Sequence, residues 1–168
     1  TNKRSDFFQK IKNDIENQKA LALLEEMKKL KVLIIAAKMD VGGIENQLLH
    51  LLRNADRSRF QIDFTTTMDN PYYKAEIESL GSKCIRIPSP HECFYIPYCR
   101  ALYRIMKEGQ YDIVHSHELF HSGMVLRIAK MAGVPCRIAH AHNWSDAAGP
   151  GDKPSLIRRM YNSLMRQE

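Results

Sequence analysis

The polypeptide has 168 residues, 44% hydrophobic and 26% charged, with a formal net charge of +6 and a pI near 9.2. That is enough chain for one globular core, and no apolar run approaches the roughly 18–20 residues that a bilayer span needs. The N-terminus has no charged-then-apolar leader pattern, so a cytoplasmic protein is expected. The positive balance favours anionic partners, but the Lys and Arg residues are scattered and form no block, which argues against nucleic acid. The four cysteines (Cys84, Cys93, Cys99 and Cys136) make no CxxC pair and read as reduced, small apolar residues.

Residues 1–30 are polar and helix-favouring. Phe8, Ile11 and Ile15, then Leu21, Leu24, Met27 and Leu30, recur at helical spacing, which predicts a helical N-terminal extension ahead of a domain over 31–168. Lys31–Ala37 (KVLIIAA) is short, apolar and β-branched, as expected of a strand buried on both faces. After Gly42 and Gly43 a helix follows, marked by Ile44, Leu48, Leu51 and Leu52. The rhythm then repeats: strand Phe60–Thr66, helix Tyr72–Leu80, strand Lys83–Ile87, helix Pro97–Glu108 and strand Tyr111–Ser116. Helix Phe120–Ala132, strand Cys136–Ala141 and helix Pro154–Gln167 complete it, with Gly81, Gly109 and Gly133 as helix stops. Strands alternating with helices predict parallel βαβ units, hence an α/β fold with a Rossmann-like three-layer α/β/α parallel sheet of about five strands.

Open parallel sheets bind ligands beyond the carboxyl ends of their strands, so the chemistry is expected just after each strand. Gly42-Gly43 lies between the first strand and the first helix, where glycine permits close backbone approach and a helix N-terminus offers N–H groups to an anion. The motif is neither GxGxxG nor GxxxxGK, so the dinucleotide and P-loop fingerprints are absent. The alternative is a tight turn with no ligand. A second concentration is His115, His117, His121, His140 and His142. His115 and His117 share a face at the end of one strand, as do His140 and His142 at the end of the next. Neighbouring strands would bring these imidazoles to one cleft edge as bases, hydrogen-bonding groups or ligands; otherwise each is a separately satisfied loop histidine.

His117-Glu118-Leu119-Phe120-His121 matches H-E-x-x-H, the zinc metalloprotease pattern. That chemistry needs both histidines on one helix face and a third ligand. Here the first His ends a predicted strand and the only later Glu is Glu168. Zinc proteolysis is therefore the lesser alternative, and no metal ligand set is assigned.

Taken together, KVLIIAAKMDVGGIENQLLHLL, YDIVHSHELFHSGMVLRIAKMAGVP and RIAHAHN resemble the N-terminal domain of family-four glycosyltransferases of the GT-B fold, in their capsular and exopolysaccharide branch. The resemblance runs from about Lys31 to the end. It implies retaining transfer of a sugar from a nucleotide sugar to a saccharide or lipid-linked acceptor, with no cofactor beyond that co-substrate and no metal requirement. It further implies that Gly42 and Gly43 lie against the donor diphosphate and that His142, ahead of His140, sits near the transferred sugar. Glu45, His117 and Glu118 would line the acceptor side. The donor half with its Glu-x7-Glu motif is not in these residues, so the chain is expected to need a C-terminal donor-binding domain and to be inactive alone. A non-catalytic binding half of a two-chain enzyme is the alternative. Phe94, Tyr95, Ile96, Pro97 and Tyr98 before a helix carrying Arg100, Arg104 and Lys107 fit a peripheral contact at the inner face of the plasma membrane, or equally a solvated basic face over core residues Ala101, Leu102, Ile105 and Met106.

Overall fold

The computed structural model of the chain describes residues 9–10, 12–19, 28–90, 95–118 and 121–142. Residues 12–19 are helical. The expected final helix, Pro154–Gln167, lies outside the described residues, as do Cys93 and Phe94.

Among the described residues from Leu30 on, five strands alternate with four helices: β1 (Leu30–Ile35), α1 (Gly43–Asn54), β2 (Phe60–Thr66), α2 (Lys74–Ser79), β3 (Cys84–Arg86), α3 (Ile96–Gly109), β4 (Ile113–Ser116), α4 (Ser122–Ala132) and β5 (Cys136–Ala139). The sheet is parallel throughout, in the order β3-β2-β1-β4-β5. This is the Rossmann-like α/β arrangement that the alternating pattern predicts. The order reverses between β1 and β4, which opens a crevice beyond their carboxyl ends.

Successive residues of a strand face opposite ways, and β1 divides the core accordingly. Leu33 and Ile35 join Tyr98, Leu102, Met106, Val114, Val125 and Ile128, so α3 and α4 cover one face. Ile34 and Ala36 join Leu48, Leu49, Leu52, Ile62, Phe64 and Ile77, so α1 and α2 cover the other. Leu49 is wholly buried. Burying such a side chain contributes roughly 1.5–3 kcal/mol, and its truncation to alanine would cost about 2–5 kcal/mol.

A polar tie crosses the α3 face beneath this crevice. Tyr111, just before β4, donates its hydroxyl to Asp63 Oδ2 on β2 at 2.8 Å, reaching past β1, which lies between those strands. Asp63 Oδ1 accepts the Lys83 amide at 2.9 Å and the Gln61 side chain at 3.1 Å. The carboxylate is only 4% exposed, and burial together with its charge pushes the Tyr111 hydroxyl far up from its ordinary pKa.

Element ends differ from expectation by at most two residues, and β2 matches at both ends. One difference has a physical cause. Gly81 and Gly133 take the positive φ of a helix stop, at 74° and 86°, but Gly109 ends α3 inside the helix and Gln110 takes the left-handed conformation, at φ 51°. Gly109 serves another purpose: a Cβ there would collide with the Tyr111 ring.

Candidate functional site

The turn after β1 forms one wall of the crevice. Gly42 is the N-cap of α1, with extended backbone at φ −171°, and accepts the first helical hydrogen bond from Asn46 N at 3.0 Å. Neither glycine has a positive φ, so conformation does not require them. Space explains Gly42, since a Cβ there would strike the Glu45 carboxylate, which folds back over the helix entry. At Gly43 a Cβ meets nothing within 4 Å, so the first turn opens onto free space. The backbone N–H groups of that turn lack intrahelical acceptors and carry the positive end of the helix dipole.

The histidines form the other wall. Strand geometry continues past β4 and β5, because His117 N donates to Ile35 O at 2.9 Å and His140 N to Ser116 O at 2.8 Å. His115 is in register with Ile34 and Ile138, which sends it to the α1 face. His117 and His140 follow on the same face by alternation. The rings lie against one another: His115–His117 centroids are 4.2 Å apart and His117–His140 4.9 Å, both tilted, while His140 and His142 stack at 4.4 Å. His117 Nδ1 and His142 Nε2 are 2.7 Å apart and share one proton between them. Among the described residues, the buried Nε2 atoms of His115 and His117 have no hydrogen-bond partner.

Burial, then the neighbouring imidazoles, lowers the pKa of His115 and pushes that of His117 down to about 3. His142 is lowered too, by burial and then by His140, while Glu45 pulls it the other way. Ile35, the last residue of β1, accepts the His117 amide, so the glycine turn after β1 and the histidines after β4 lie at one crevice. With their pKa values lowered, His115, His117 and His142 are uncharged at neutral pH, each with one N–H donor and one nitrogen acceptor to offer a hydroxyl-rich ligand.

Glu118 points away from this cluster. It is buried on the α3 side, where Tyr98, fully buried, donates its hydroxyl to Glu118 Oε2 at 2.8 Å. Ser116 and Ser122 hydroxyls meet at 2.9 Å on the same side. His121 is the N-cap of α4, with Nε2 3.2 Å from the Tyr95 hydroxyl. His117, Glu118 and His121 therefore do not share a helix face, and the geometry of an H-E-x-x-H zinc protease is not present. Tyr98, expected with the interfacial aromatics, belongs instead to the core stripe Tyr98, Leu102 and Met106, whose four-residue spacing was already in the sequence. Tyr95 was not singled out for the site. Its φ of 63° is uncommon for a residue with a Cβ and costs about 1–2 kcal/mol. No sequence pattern announces it.

Comparison with known proteins decides the family. The model of Glycosyltransferase Family 4 matches residues 41–167. The chain belongs to glycosyltransferase family 4. Among curated proteins it is 36% identical over 137 residues to Bacillus subtilis (strain 168) EpsF, named as a glycosyltransferase, covering 80% of this chain and 36% of that protein. It is 25% identical over 138 residues to the Staphylococcus aureus capsular polysaccharide biosynthesis glycosyltransferase CapH, covering 82% of this chain and 37% of that one. The chain thus spans little more than a third of the length of these family members. Among solved structures, the C-terminal domain of a Pyrococcus furiosus hydrogenase aligns with 68% of this chain and 94% of its own, at 18% identity and a TM-score of 0.47. Membership in the glycosyltransferase family agrees with the resemblance carried by the glycine turn and the two histidine-bearing strand ends. No helix among the described residues is long and apolar enough to cross a membrane.

Proposed function

We propose that this chain is the acceptor-side half of a retaining, nucleotide-sugar-dependent glycosyltransferase of polysaccharide biosynthesis. In this reading it transfers sugar to a saccharide or lipid-linked acceptor, completed by a C-terminal donor-binding domain. The observation that carries the reading is the meeting of the α1 N-terminus and the histidine cluster at one switch-point crevice, in a chain of this family. The N–H groups at Gly42 and Gly43 would face the donor diphosphate and stabilise the negative charge that grows on it as the glycosidic bond breaks. On the family pattern no metal or other cofactor is needed for this. His142 and His140 would hydrogen-bond hydroxyls of the transferred sugar and hold its anomeric carbon towards the acceptor.

Glu45 and His117 would line the acceptor side. Glu118, expected beside them, acts from behind: clamped by Tyr98, it fixes the turn that follows His117. A peripheral membrane contact would use exposed Ile96 and Tyr103 with Arg100, Arg104 and Lys107 on α3, which suits an inner-face, cytoplasmic location. Nucleic acid has no part in this reading.

The test is transfer of labelled sugar from a panel of nucleotide sugars to lipid-linked and saccharide acceptors, with the anomeric configuration of the product read by NMR. A polypeptide carrying both domains should transfer with retention, and His142→Ala should lower its turnover at least about tenfold with an unchanged melting temperature. The 168-residue chain alone should give none. Turnover by the chain alone on the order of 1 s⁻¹ overturns the half-site reading, and unfolding of the His142→Ala variant makes that histidine structural.

A further inference from the structure

The histidine cluster has a property that sugar binding does not use. His115, His117 and His140 each present a nitrogen, and the three atoms lie within 4.8 Å of one another. The same cluster holds two buried atoms, His115 Nε2 and His117 Nε2, with no protein partner among the described residues, an arrangement that calls for a ligand or an explanation. His142 completes the picture from outside. If His117 donates its Nδ1–H across the 2.7 Å contact to His142 Nε2, the buried Nε2 of His117 carries a bare lone pair. That is the tautomer a metal-bound histidine adopts, with its other N–H held by an acceptor behind it.

We propose that His115, His117 and His140 form a binding site for a transition-metal ion of the zinc type, with His142 as the acceptor that orients His117. Three imidazoles and an open fourth position suit Zn²⁺ or Co²⁺ and not Mg²⁺ or Ca²⁺, which want oxygen ligands. Around a tetrahedral ion bound at 2.0–2.1 Å the nitrogens would lie about 3.3 Å apart. Filling the site therefore draws the three rings together by small side-chain rotations. The ligands come from two adjacent strand ends, 115 and 117 on one and 140 on the next, so no compact sequence motif marks them. The site shares only His117 with the H-E-x-x-H match and is independent of it. Because the same rings face the transfer crevice, the ion would act there as an inhibitor and not as a participant.

The experiment uses the chain purified without a histidine tag and stripped with a chelator. Calorimetry with ZnCl₂ and visible absorption with CoCl₂ should show one ion per chain, with cobalt bands of low coordination number, and MgCl₂ should give nothing. His115→Ala, His117→Ala and His140→Gln should each weaken binding by at least about tenfold, and His142→Ala by less. His121→Ala should leave it unchanged. Circular dichroism confirms that each variant is folded. His140→Gln, beyond the end of β5, keeps the test open should the more buried variants unfold. Zinc binding that survives His140→Gln, binding lost in His121→Ala, or no stoichiometric cobalt spectrum overturns the proposal. No sugar is present in any arm, so failure here leaves the transfer reading intact, and failure of transfer leaves the metal site intact.

Discussion

Tyr111→Phe isolates the polar tie that links the start of β4 to β2 across β1. The substitution keeps the ring against Gly109 and removes one hydroxyl from Asp63 Oδ2, at a carboxylate 4% exposed. A hydrogen bond to a buried charge contributes about 1.5–3 kcal/mol, and the carboxylate left behind has only its Oδ1 partners. A loss of about 2 kcal/mol lowers the melting temperature of a domain this size by roughly 4–8 °C. Calorimetric or circular-dichroism melting at pH 7.5 measures it. The pH dependence gives a second, independent reading. The folded-state pKa of Tyr111 is raised above its ordinary 10.0, so the associated stability is present below pH 10 and is lost as the unfolded chain ionises above it. The wild type should therefore lose stability above about pH 10 more steeply than Tyr111→Phe, and the gap between them should narrow. Melting within about 1 °C of wild type, or a gap that stays constant up to high pH, would refute the argument that this contact is a buried charge-assisted bond.

The two glycines should separate cleanly. Gly43→Val, placed in open space, should melt close to wild type yet abolish transfer in the two-domain protein, whereas retained transfer would mean that no anion sits at that turn. Gly42→Ala should push the Glu45 carboxylate aside at small cost to the fold, and the His142 pKa followed by NMR should fall because Glu45 no longer raises it. With chelator present, urea unfolding should show stability falling as pH drops below 6.5, since the unfolded histidines take up protons while folded His117 resists until about 3. The ceiling is about 1.4 kcal/mol per pH unit, and partial exposure reduces it to about half. His117→Gln should flatten this slope, and parallel slopes would mean that the cluster titrates like free histidine.

Much of this was legible in the sequence because burial on both sides leaves a plain mark. LKVLII and FQIDFTT read as strands from their apolar and β-branched content, and the alternation of strands with helices fixed the parallel sheet. The convergence of His115, His117, His140 and His142 followed from one condition, that their strands be neighbours, and β4 and β5 are. What sequence did not disclose depends on which way a side chain turns after the strand ends. Glu118 and His117 are adjacent in the chain, yet one is clamped by Tyr98 behind the sheet and the other faces the crevice. Alternation decides that, and whether it carries on past Ser116 becomes visible only once His117 is seen paired with Ile35 of β1. The Gly109 stop failed for a similar reason, since the glycine answers to the Tyr111 ring, two residues on, and not to the helix end.

The edge strand β5 carries a consequence for motion. All four of its residues are exposed, and Ile138 is 40% exposed where a parallel strand would ordinarily be covered. Among the described residues its sheet pairing is with β4 alone. Local opening is cheapest where apolar burial is least, so the amides of Arg137, Ile138 and Ala139 should exchange with solvent deuterium ahead of those in β1 or β2. His140 and His142 follow directly from that strand. Each opening of the edge would carry them away from His115 and His117, so the spacing of the four rings is set by how often β5 lets go of its neighbour. A ligand that grips rings from both strand ends would slow that exchange.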